Sequence, residues 1–191
     1  MKFDSKEQFE QGIKDKLSDL CSKTTWASED LLSLKEYLHP INNHITYLMG
    51  EMFLAQLNTS TSEANFKYPE MNNNGYDLAF KLNRIDAWII AEIKGNIPCC
   101  SNKTRYGAKQ KEKIKIDIEN LEKNKSTSQI TDEQFKDAYK FLVLLKNNEH
   151  AIKNLIDSDG LKEYKFDICE SNSINLTELN KDTIYIVLID L

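Results

Sequence analysis

Residues 75–98, GYDLAFKLNRIDAWIIAEIKGNIP, constrain this chain more than any other stretch. Ala87 to Ile93 is a dense apolar run, AWIIAEI, with one acid set inside it, and Tyr76 to Leu82 alternates in part. Between them, Asn83-Arg84-Ile85-Asp86 supplies turn formers at both ends. Folded antiparallel about that turn, the segment sets Leu82 opposite Ala87 and Asp77 opposite Glu92. Directly opposed residues share a face of a sheet, as do residues two apart on one strand. Asp77, Glu92 and Lys94 are therefore expected on one side of a hairpin.

Two carboxylates placed opposite each other repel and weaken a ladder. A divalent cation removes the conflict, and a neighbouring ammonium helps. Hard cations such as Mg²⁺ take carboxylate oxygens and keep waters for a substrate phosphate. The competing reading is a solvated strand end on which Glu92 and Lys94 merely alternate with Ile93. Asp77 at hairpin-matched spacing, with the acid embedded in WIIAEI, favours the cation site.

At these residues the chain resembles the PD-(D/E)xK nuclease superfamily, the restriction-endonuclease-like fold. Its motif is an acid at the start of one strand, then an acid-x-Lys triplet on the next, matched here by Asp77 and by Glu92-Ile93-Lys94. Tyr76 stands where the superfamily's name places a Pro. The resemblance implies metal-assisted phosphodiester hydrolysis. Asp77, Glu92 and the Ile93 backbone carbonyl would hold one or two Mg²⁺ ions, and Lys94 would orient the attacking water and stabilise developing charge. It also implies an acid from the helix before the hairpin, for which Glu51 is the matching position. The commonest such stand-alone enzyme is a type II restriction endonuclease, a homodimer on palindromic double-stranded DNA. A structure-selective resolvase or repair nuclease is the nearest competitor, and a non-catalytic DNA-binding relative is a third reading.

The chain carries a formal net charge of −5 over its 191 residues, which argues against indiscriminate coating of nucleic acid. Its distribution is uneven. Lys94, Lys103, Arg105, Lys109, Lys111, Lys113 and Lys115 fall within 22 residues against one acid, Glu112. The last six are candidate phosphate contacts, since a basic stripe next to a cation site suits a phosphodiester. The alternative is a solvated Lys-rich helix. Cys21, Cys99, Cys100 and Cys169 show no metal-ligand spacing. The polar N-terminus is unlike a signal peptide, no apolar run is long enough to span a membrane, and a cytoplasmic protein with reduced thiols is expected.

The remaining periodicities predict a mixed α/β fold, a mixed central sheet flanked by helices, in a single domain of residues 1–191. Residues 1–40 form an N-terminal helical region and 41–191 the catalytic core. Helices are expected at 3–22, in LLSLKEYL with Pro40 ending it, at 41–57, at 107–123 and at 149–156. Besides the hairpin, strands are expected at 139–145, 164–168 and 183–191, with a short leading strand around Phe66 and Tyr68. Residues 126–134 read as linker.

Overall fold

The computed structural model describes residues 3–68, 75–98, 105–124, 130–146, 149–158, 161–169 and 173–191. Its architecture is mixed α/β, a five-stranded mixed sheet flanked by helices. Helices α1 (Lys6–Ser22), α2 (Ser28–Lys35) and α3 (Leu38–Gln56) precede the hairpin of β1 (Leu78–Leu82) and β2 (Ala87–Lys94). There follow α4 (Ala108–Lys123), α5 (Asp132–Lys136), β3 (Ala138–Leu145), α6 (Glu149–Ile156), β4 (Phe166–Cys169) and β5 (Ile184–Ile189). The strands lie in the order β1-β2-β3-β5-β4, with β1 antiparallel to β2 and every other pairing parallel. No helix among the described residues is long and apolar enough to cross a membrane.

Hairpin register follows the expectation, running from Leu78 opposite Ala91 to Leu82 opposite Ala87. The connection is a 3-10 turn at Asn83–Ile85 closed by Asp86 in the left-handed region (φ 52°), which a short polar side chain tolerates better than a branched one. Lys81 Nζ lies 2.5 Å from the Asp86 carboxylate.

Strand parity divides the core. Ile89, Ala91 and Ile93 of β2, with Phe141, Val143, Tyr185 and Val187, pack under Met49, Phe53 and Leu54 of α3. On the other face, Ile90, Leu142, Leu144 and Ile186 meet Ile114, Ile118 and Leu121 of α4, together with Phe135, Ala151 and Leu155. The central strands β2, β3 and β5 are buried on both faces, which is why they read as near-continuous apolar runs. Helix α3 crosses β2 closely. A Cβ on Gly50 would sit 2.4 Å from the Phe66 ring, and one on Gly95 would sit 2.6 Å from Ile45 Cγ2.

Three expectations need correction. Pro40 does not end a helix but lies in the first turn of α3, where its missing N–H has no intrahelical partner to lose. No strand forms at Phe66 or Tyr68; Phe66 stacks on Tyr47 at 5.2 Å, and Tyr68 meets the same ring edge-on. The stretch read as linker contains the start of α5, capped reciprocally by Thr131 and Gln134.

Candidate active site

Even-numbered positions of β2 face α4, so Glu92 and Lys94 point toward that helix and away from α3. Asp77 shares the face, one residue before β1 begins. Its Oδ2 accepts the Ile93 N–H at 2.7 Å. The expected opposition of Asp77 and Glu92 is therefore corrected in detail: the ladder starts at Leu78, and Asp77 caps β2 with its side chain. The two backbone groups of one strand residue point to the same side, so the Ile93 carbonyl faces the Asp77 side of β2.

The ammonium of Lys94 is the centre of the cluster. Its Nζ lies 3.9 Å from Asp77 Oδ2, 3.9 Å from Glu92 Oε2 and 3.3 Å from Asp117 Oδ2. Glu92 is only 2% exposed, and Asp77, Asp117 and Lys94 are largely covered. Burial pushes the lysine pKa down, but the Asp77, Asp117 and Glu92 carboxylates outweigh it and hold the ammonium above the usual lysine range. Lys94 is thus held as an ammonium among these carboxylates, an arrangement suited to orientation and charge stabilisation.

Asp117 is the residue that sequence reasoning missed. A signal was present: Ile114, Asp117, Ile118 and Leu121 are the buried positions of α4, spaced i, i+3, i+4 and i+7, so an acid interrupts an apolar stripe. Glu51 is brought elsewhere. It lies on α3, the helix covering the opposite face, and its Oε2 pairs with Lys6 Nζ at 3.3 Å. What α3 sends to the site is its first half: Asn42, Asn43 and Thr46 line a cleft at the end of β2.

That cleft encloses about 520 Å³, with Asp77, Lys94 and Asp117 in its wall. Lys113 and Ile116, on the same helix as Asp117, and Gly95 and Asn96 beyond the strand complete its lining. Gln110 ties this region together, accepting the Gly107 N–H and donating to the Ile97 carbonyl. Of the basic stripe, Lys113 reaches the cleft, Lys115 pairs with Glu119 at 3.9 Å, Arg105 and Lys109 are exposed and Lys111 is half-buried. Lys103, Cys99 and Cys100 lie outside the described residues. Cys21 and Cys169 are free thiols.

Three carboxylates around one ammonium leave a formal charge of −2, an unfavourable concentration that a divalent cation would neutralise. Among the described residues no three His, Cys, Asp or Glu side chains form a ready cage for a metal. Mg²⁺ does not demand one, because it is commonly held by one or two carboxylates together with waters and substrate phosphate. The donor set, all hard oxygen, fits such an ion. No protein-family model matches this chain, and neither does any curated protein or solved structure.

Proposed function

We propose that this protein is a Mg²⁺-dependent endodeoxyribonuclease that hydrolyses phosphodiester bonds of double-stranded DNA, acting in the cytoplasm as a type II restriction endonuclease. The observation that carries the reading is the convergence of Asp77, Glu92 and Lys94 at the end of one hairpin, beside an open cleft and with a net negative charge. It is the arrangement implied by the resemblance to PD-(D/E)xK nucleases.

In this reading Asp77, Glu92 and the Ile93 carbonyl would hold the cation, which would supply Lewis acidity and lower the pKa of a water. Lys94 would orient the attacking water and donate hydrogen bonds toward the phosphoryl oxygens, where charge would develop. Lys113 lies on the α4 side of the cleft, where it can meet the incoming phosphate, and Asn42, Asn43 and Thr46 line its α3 side. The protein acts as a homodimer, two copies of one site being matched to a two-fold DNA target.

Incubation of the purified chain with supercoiled plasmid and Mg²⁺ tests the proposal. Discrete linear fragments that vanish with EDTA are expected, and intact plasmid over a range of sequences and divalent ions would refute it. A sedimenting monomer that still makes double-strand breaks in one binding event would remove the dimer. One observation favours a binding-only domain instead: Asp77 Oδ2 is already committed to the Ile93 N–H. Metal-independent DNA binding without cleavage is the result that would select that reading.

A further inference from the structure

We infer that Tyr76 is a positioning residue of this site: it keys the chain to α4 one residue before Asp77 and so sets where that carboxylate enters the cation site. The inference rests on the function proposed above and goes beyond it, since no role there falls to Tyr76. Leu78, Phe80 and Leu82 of β1 belong to the apolar cluster under α3. Strand alternation would send Tyr76 the same way, yet it belongs to the cluster of Ile114, Ile118 and Leu121 under α4. The chain therefore breaks from the strand pattern before Leu78, and it bends at Asp77. The ladder begins only at Leu78, so sheet pairing does not fix the approach to Asp77.

Tyr76 supplies that fixing. Its residue is 0% exposed, and its ring stacks on Phe135 of α5 with 6.4 Å between centroids. Its hydroxyl lies 3.1 Å from both the Asn120 carbonyl and Asn124 Oδ1, with one proton shared between them. The first acceptor is among the last carbonyls of α4, which have no partner within the helix. The second belongs to the residue that ends α4 at φ 63°, whose Nδ2 donates to Asp132 at the start of α5 at 2.6 Å. Tyr76 thus closes a circuit through the ends of two helices. Asp77 is held from two directions, by the anchored backbone of Tyr76 and, through Oδ2, by the Ile93 N–H. The same helix α4 carries Lys113 to the cleft, so the phenol ties the carboxylate and that lysine to one frame.

Tyr76→Phe keeps the ring and deletes only the hydroxyl. Plasmid cleavage gives kcat and KM, and the electron paramagnetic resonance of free Mn²⁺ gives the ion's affinity without DNA, both well below the melting temperature. The kcat should fall about 10-fold and Mn²⁺ binding should weaken by a similar factor, the lower end of the cost of losing a group that orients a ligand. KM for DNA should not move, because a side chain this buried makes no contact with substrate. Ile186→Val trims the same apolar cluster from β5; it should lower the melting point and leave kcat and Mn²⁺ affinity at parent values, which separates positioning from lost stability. Asn124→Gly removes one acceptor and suits the positive φ; it should shift kcat and Mn²⁺ affinity in the same direction as Tyr76→Phe, by less. A Tyr76→Phe protein that melts lower but matches the parent in kcat and Mn²⁺ affinity would overturn the inference. If Tyr76→Phe does not fold, an Asn124→Gly protein unchanged in both quantities overturns it instead. A parent that neither cuts DNA nor binds Mn²⁺ would remove the functional reading, and the inference with it.

Discussion

Replacing Glu92 by Gln separates what this residue does for the fold from what it does for chemistry. Glu92 is 2% exposed and lies 3.9 Å from Lys94 Nζ. At an effective dielectric near 20 that ion pair is worth about 4 kcal/mol of attraction. Against it stand the dehydration of the carboxylate, itself several kcal/mol, and repulsion from Asp77 and Asp117, which share the same ammonium. Gln removes all three contributions while keeping the shape, and Lys94 retains two carboxylate partners. The net change in stability is therefore expected within about 1 kcal/mol of zero, a shift of about 2–4 °C at most in a domain of this size. DNA cleavage in Mg²⁺ should nevertheless fall by about 10³-fold or more, the scale of losing one member of a catalytic unit. Binding to DNA without metal should be equal or tighter, because one charge facing the phosphate is gone. Thermal melting, plasmid cleavage and a mobility-shift assay on the same preparation measure the three quantities. Cleavage within tenfold of the parent would refute the catalytic role, and a melting point lower by more than about 8 °C would mark Glu92 as a structural counter-ion.

Replacing Lys109 and Lys113 together by Gln should flatten the dependence of log affinity on log salt by about 0.9 for each phosphate no longer neutralised; an unchanged slope would leave α4 a solvated face. His44 is buried between Phe9 and Tyr68 with its Nδ1 lacking a hydrogen-bond partner, and burial holds its pKa below the usual 6.5 despite Glu10 nearby. It folds neutral, so its contribution is fully present above pH 6.5 and is lost as pH falls through the lowered folded value. Urea unfolding at pH 7 and pH 5 should thus show a smaller acid loss in His44→Leu than in the parent, and equal losses would refute this. Gly50→Ala places a methyl 2.4 Å from Phe66 Cε1 and 3.3 Å from Ile93 Cδ1. Overpacking of about 1–3 kcal/mol should outweigh the roughly 1 kcal/mol gained in helix propensity, lowering the melting point. An unchanged or higher value would show that Phe66 moves aside freely.

Much of this arrangement is legible in residue order. Alternation and turn chemistry between Tyr76 and Ile93 specify the hairpin and its register, because a one-residue slip would turn every apolar side chain to the wrong face. The same parity puts Asp77, Glu92 and Lys94 on one side, and the apolar runs of β3 and β5 announce strands buried on both faces. Boundaries are less legible where a residue has two uses. Pro40 reads equally as a helix stop and as a first-turn residue, and the tertiary fold selects the second.

Periodicity cannot say which helix covers which face of the sheet. Asp117 interrupts the apolar stripe of its helix and Glu51 lies beside one, but neither pattern says which helix meets the end of β2. The choice is made by the crossover from β2 through α4 to the parallel strand β3, which lays α4 on the even-numbered face of β2 while α3 packs on the odd-numbered face. Asp117 is thereby carried to Lys94, and Glu51 is left with Lys6. Packing completes the site for the same reason: only when two helices and a sheet come together is Lys94 fixed among three carboxylates, whose attraction outweighs the burial that pushes its pKa down.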